Sequence, residues 1–165
     1  MVLVVRDAVR ADAPLIVKFV EDLADYEKLR HEAVATAADI ERELFGANPK
    51  VFCQIAEWEG QPAGFALWFY TFSTFLGRHG IWLEDLFVEP AMRGHGVGKG
   101  LLVDLAKRCV RERLGRLEWA VLDWNAPSIG FYRALGALPM DEWTVYRLSG
   151  EPLAATAATS LTNRS

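Results

Sequence analysis

Two neighbouring stretches carry residue types that could do chemistry. Residues 93–100 read Arg-Gly-His-Gly-Val-Gly-Lys-Gly, with Gly94, Gly96, Gly98 and Gly100 at every second position where an apolar strand gives way to an apolar helix. Glycine is the poorest ordinary helix former, so four of them at a helix entrance need a reason. A strand feeding directly into a helix leaves the first N–H groups unpaired, and with the helix dipole they form an anion site. Glycine lets the backbone approach that anion closely, and Arg93 adds positive charge at the rim. The stretch therefore reads as a diphosphate cradle. Just upstream, Glu84 and Asp85 are adjacent carboxyls on the strand. Adjacent strand residues point to opposite faces, so the two can serve one site only across a β-bulge.

The spacing narrows the ligand. A dinucleotide fingerprint starting at Gly94 would need glycine at 99, and one starting at Gly96 would need it at 101, where Lys99 and Leu101 stand. A Walker loop fails because no Ser or Thr follows Lys99. Arg-x-x-Gly-x-Gly, met by Arg93, Gly96 and Gly98, is the pattern that fits. His31, His79 and His95 lack metal-ligand spacing, and Cys53 and Cys109 read as buried free thiols, so no metal is expected.

These groups must be positioned by one domain: 165 residues, 52% hydrophobic and 24% charged, suffice for a single core. The net charge of −4 argues against nucleic acid as a partner. The chain shows neither a signal-peptide core nor a membrane-length apolar run, so no membrane partner is expected and the cytoplasm is the default location.

Residues 2–8 fit a first strand, and the stripe Leu15, Ile16, Phe19, Val20, Leu23 a helix. Thr36 and Asp39 resemble a capping box opening a second helix to about Phe45. Residues 51–58 and 62–72 form a predicted hairpin, and 81–90 a third strand ended by Pro90. A strongly amphipathic helix starts at Val97. Residues 117–124 read as a strand, 125–137 as a helix capped by Asn125 and ended at Gly136, and 142–150 as a last strand. The order β-α-α-β-β-β-α-β-α-β predicts an α/β (α+β) domain over residues 1–150, a three-layer mixed central sheet with helices on both faces. Residues 151–165 read as a loose, flexible tail.

With "DYEKL", "GFALWFYTFSTFLGRHGIWLEDLFV", "RGHGVGKGLL" and "VLDWNAPSIGFYRALGA" in this order, the sequence resembles the GCN5-related N-acetyltransferase (GNAT) superfamily, over about residues 3 to 149. It is most similar to the diamine (spermidine/spermine) and thialysine acetyltransferase branch. The resemblance implies the acyl-CoA N-acyltransferase fold, acetyl-CoA as cosubstrate, a homodimer, and direct attack of a primary amine on the thioester. The implied acceptor is a small cationic amine, polyamine or lysine-like. Other acceptors (a protein lysine or N-terminus, an amino acid, an aminoglycoside) and a non-catalytic acetyl-CoA sensor are the alternatives.

An alkyl ammonium of pKa near 10.4 costs about 4–5 kcal/mol to deprotonate at pH 7, so the site needs a proton acceptor. By resemblance Glu84 is that base or a proton relay, with a bulge expected near Leu86. Tyr132 matches the family's general acid toward sulfur. That transfer is uphill by about 2 kcal/mol from a tyrosine to a thiolate, so hydrogen bonding to the departing thiolate is its main effect. The backbone of Leu86, Phe87 and Val88 would hold the pantetheine arm. Arg93, Gly94, His95, Gly96, Val97, Gly98 and Lys99 would hold the diphosphate, with the His95 side chain facing solvent. Asn125, Ala126, Pro127 and Ser128 would also contact the cofactor. Tyr26, Glu27, Glu84, Asp85, Glu118, Trp119 and Glu142 match substrate contacts, Glu142 only with a one-residue shift. Carboxylates among aromatic walls would suit an ammonium ion.

Overall fold

The computed structural model describes residues 1–160, so the end of the expected tail, residues 161–165, lies outside the described residues. The chain divides into two compact units, one from Met1 to Asp123 and a second that begins at Trp124.

The first unit holds a five-stranded sheet in the order β1 (Leu3–Asp7), β2 (Phe52–Trp58), β3 (Gln61–Ser73), β4 (Arg78–Val88) and β5 (Leu117–Trp119). Neighbours are antiparallel except β4 and β5, which run parallel. Between the strands lie α1 (Ala13–Tyr26), α2 (Ala37–Phe45) and α3 (Val97–Arg111). This is the mixed sheet expected, and the capping box forms: Thr36 Oγ1 accepts from the Asp39 N–H, while the Asp39 carboxylate accepts from the Thr36 N–H at 2.8 Å.

Strand alternation sorts the core. Cys53, Ile55, Phe65 and Leu67 point to the face covered by α1 and α2, where they cluster with Ile16, Phe19, Ile40 and Phe87. Trp68 points the other way and lies under the Arg108 guanidinium of α3, 5.1 Å from its ring centre. Phe19 is wholly buried, 5.4 Å from the Phe65 ring and 5.9 Å from that of Phe87. Burying a side chain of this size contributes about 1.5–3 kcal/mol. Phe19 thereby fixes α1 against the C-terminal end of β4, and the end of α1 carries Tyr26 and Glu27.

Two expectations at the sheet edge need correction. The strand expected over 117–124 ends at Trp119, because β5 pairs only with Ile81–Leu83 of β4. Beyond Leu83, β4 bulges, and a bulged strand bends away from a straight neighbour. The strand expected over 142–150 is absent among the described residues, although its apolar residues recur. Periodicity marks a capacity to pair, and a strand exists only where an edge accepts it.

The second unit contains α4 (Ala126–Ala134) and α5 (Gly150–Ala157). Asn125 caps α4 by accepting from the Ser128 N–H, and Gly136 ends it at φ +87°. The start of the expected loose tail is instead helical. Its alanines carry no periodicity but have the highest helix propensity, and Pro152 fits a first turn.

Candidate active site

One extra residue in β4 organises the chemistry. Leu83 pairs with Trp68 of β3, and Asp85 pairs with the adjacent Leu67, so Glu84 is inserted between them. The expected bulge thus sits at Glu84, two residues before Leu86. Its effect follows from the period of two: Trp82 pairs with Phe69 and Asp85 with Leu67, so both lie on the α1–α2 face although they are three residues apart. Without the insertion Asp85 would point toward α3. Glu84 stays on the same side, since its carboxylate accepts from Trp82 Nε1 at 2.8 Å.

Three carboxyls therefore share the end of α1 and the bend of β4. Burial pushes Asp85 up to about 7, and the charges of Glu84 and Glu27 add to the effect. Glu27 is raised as well, by burial first and then by Glu84. Beside them a cleft of about 410 Å³ is lined by Asp22, Asp25, Tyr26, Phe87 and Arg93, among others. Arg93 lies over the Tyr26 ring at 5.3 Å and donates to the Val88 carbonyl at 3.3 Å. Asp22 and Asp25 are matched by Lys18 and Arg30 in ion pairs of 2.5 and 2.9 Å.

Past Val88 the chain enters the glycine turn. Gly94 and Gly96 have φ of +84° and +78°, values that L side chains rarely adopt. Gly100 answers a different need: a Cβ there would sit 2.6 Å from Leu3 Cδ2, so glycine lets α3 close onto β1. The first α3 hydrogen bond runs from the Gly100 N–H to the Gly96 carbonyl at 2.8 Å. The N–H groups of Val97, Gly98 and Lys99 precede that bond and have no acceptor within the helix. Gly96 offers no side-chain cap. Uncapped donors, a glycine approach and Arg93 at the rim suit a diphosphate. On the edge facing β5, Glu84–Val88 lie past the last residue of β4 that pairs with that strand.

A model of the acetyltransferase (GNAT) family matches residues 17–137. The chain belongs to the GNAT family. It is an acetyl-CoA-dependent N-acetyltransferase. Among relatives, a thialysine N-epsilon-acetyltransferase of Bos taurus is 32% identical over 160 residues, covering 90% of this chain and 94% of its own. An L-ornithine N5-acetyltransferase of Arabidopsis thaliana is 30% identical over 196 residues, covering 92% and 86%. An integron cassette protein from the mobile metagenome of V. cholerae shares the fold with a TM-score of 0.80 at 24% identity, covering 96% of this chain and 99% of its own.

Set against the expected GNAT site, the first unit brings Tyr26, Glu27, Glu84, Asp85 and Arg93 to one end of β4. Glu118 and Trp119 sit on β5, where Glu118 pairs with Arg116 at 3.0 Å. Tyr132, Asn125, Ala126, Pro127 and Ser128 belong to the second unit, at α4 and its cap. Glu142 is there too, outside any helix or strand. His95 is exposed, and its ring stacks on Trp58, 4.7 Å between centres and 19° from parallel. Sequence reasoning passed over Trp82 and Trp58. Trp82 stands two residues from Glu84 on a strand, a signal that could have revealed it. Trp58 is remote in sequence from His95 and gave none. Among the described residues no cluster of His, Cys, Asp or Glu could hold a metal ion, and no helix is long and apolar enough to cross a membrane.

Proposed function

We propose that the enzyme acetylates a primary amine of a small cationic substrate, polyamine or lysine-like, by direct attack on the thioester of acetyl-CoA. The observation that carries this reading is the gathering of Glu27, Glu84 and Asp85 beside Tyr26 at the bulge of β4. Carboxyls that raise one another's pKa gain by admitting a cation, and an ammonium ion supplies it. The names of the thialysine and ornithine acetyltransferase relatives support the same class.

Acetyl-CoA supplies an activated acetyl group. The chain's residues handle the amine. Glu27 and Glu84 hold its positive charge near the aromatic face of Tyr26. Asp85, with a pKa of about 7, is matched to accept a proton near neutrality, and Glu84 relays it or orients the amine. The first-turn N–H groups of α3 and Arg93 hold the diphosphate. The Tyr132 hydroxyl hydrogen-bonds to the departing thiolate. Tyr132→Phe should lower kcat by about 10²-fold with the CoA dissociation constant little changed; kcat within about threefold of wild type would remove Tyr132 from the mechanism. A homodimer belongs to this reading. Exposed Phe72, Phe75 and Leu76 around the β3–β4 tip support it as apolar surface a second copy could cover.

The test is initial-rate thiol release from acetyl-CoA with spermidine, putrescine, lysine, ornithine, thialysine and a basic peptide. Saturable release with one of the small amines is expected. Preference for the peptide, or release with none of them while CoA still binds, would overturn the substrate class.

A further inference from the structure

The glycine turn has a feature that its backbone alone does not explain. Residues 94–96 are a single side chain, His95, flanked by two glycines in the left-handed region. Such a segment has many conformations to lose when it closes on a ligand, which weakens binding. Its one side chain is not loose. The His95 ring lies flat on Trp58, 4.7 Å between centres and 19° from parallel. Trp58 is the last residue of β2 and is held on both sides, paired with Leu3 of β1 and Gln61 of β3. The only side chain between the two left-handed glycines is therefore tied to the sheet.

We propose that Trp58 and His95 are positioning residues that hold the glycine turn in its ligand-ready shape, so that the α3 N–H groups need not be ordered when CoA binds. Neither ring touches the reacting atoms in this role, and either could be replaced by another flat ring. The inference rests on the turn being the diphosphate site, and is independent of the acceptor amine.

The bond between Arg93 and Gly94 lies at the start of this turn and is a natural trypsin site, which allows the shape of the turn to be read without turnover. Cleavage there is followed by mass spectrometry in the folded protein, with and without CoA, alongside calorimetric binding of CoA. Trp58→Ala and His95→Ala should each speed ligand-free cleavage at Arg93 by roughly threefold to tenfold, the equilibrium weight of one aromatic pair. Each should weaken CoA binding by the same factor, and Trp58→Ala should leave kcat at saturating acetyl-CoA within about twofold. The double variant should be no worse than either single one, because both remove the same contact. Trp58→Phe and His95→Phe should restore wild-type behaviour, and they keep the test available if Trp58→Ala does not fold. Unchanged cleavage in the His95→Ala protein, or fully additive losses of CoA affinity, would overturn the proposal. The reading of the turn as the diphosphate site fails separately, if CoA gives the wild-type Arg93–Gly94 bond no protection.

Discussion

The two halves of β4 obey different rules. From Arg78 to Leu83 the strand is regular, paired with β3 on one side and, from Ile81 to Leu83, with β5 on the other; Ile81 and Leu83 are almost wholly buried. From Glu84 to Val88 it carries an insertion and two acidic side chains, and the β5 edge is no longer engaged. The first half satisfies every requirement of a central strand. The second violates three of them within five residues, placing charge, burial and an unpaired edge together. Such concentration of local cost is found where a fold holds a reactive group. One inserted residue makes the difference, since it alone brings Asp85 to the side of Glu84 and Glu27.

If the second half is the chemical one, its substitutions should cost turnover and not stability. Asp85→Asn should show the largest effect, a loss of about 10²–10³-fold in kcat/KM, as expected for removal of a general base. The wild-type kcat/KM should rise with pH and level off above about 7, the pKa of Asp85, whereas the variant should keep climbing as the free amine itself appears. Stability should change in the opposite sense. The Asp85 pKa is higher folded than unfolded, so the group contributes nothing in strong acid, where it is protonated in both states. It destabilises the fold progressively as pH rises from about 4 to about 7, and the penalty is complete above that. Chemical denaturation across this range should show that loss in the wild type and less of it in Asp85→Asn. A variant both inactive and less stable would make Asp85 a structural residue.

Glu84→Gln should be milder, a loss of roughly threefold to tenfold, because an exposed charge gains little from one ion pair in water. Its informative readout is the pH profile. Removing a like charge beside Asp85 should move the inflection from about 7 toward the ordinary carboxylate range. If Glu84→Gln instead abolishes turnover while Asp85→Asn does not, the two carboxyls exchange roles and Glu84 is the base.

The same division explains what could be read from sequence. Regular parts were legible: Thr36 and Asp39 cap α2, Asn125 caps α4, and Val97 starts α3, since each signal is local and acts within one turn. The need for a bulge between Glu84 and Asp85 was legible too, as two adjacent carboxyls cannot otherwise share a face. Its position was not, because a bulge is settled by which residue of β3 lies opposite, and that register depends on packing of Leu67 and Trp68 on opposite faces. Asp85 as the group titrating near neutrality was hidden for the same reason, its burial being a product of the bulge. The tie between Trp58 and His95 spans 37 positions in the chain and exists only once α3 has closed onto β1 through Gly100.

The smallest effect on chemistry should come from the first half. Gly80 precedes Ile81, whose N–H donates to the Arg116 carbonyl at 2.9 Å and starts the parallel pairing with β5. A Cβ at position 80 would sit 2.8 Å from that carbonyl oxygen and 3.0 Å from Thr71 Oγ1. The first contact is with backbone, so β5 must shift to make room. Gly80→Ala should therefore cost about 1–3 kcal/mol, as overpacking does, and lower Tm by roughly 2–10 °C. The bulge lies beyond the paired residues, so its geometry should survive, and kcat should stay within about twofold at a temperature where the variant remains folded. A drop in kcat with Tm unchanged would mean that the β5 pairing sets the geometry of Glu84 and Asp85. The two halves of β4 would then act as a single device, with the regular half positioning the other.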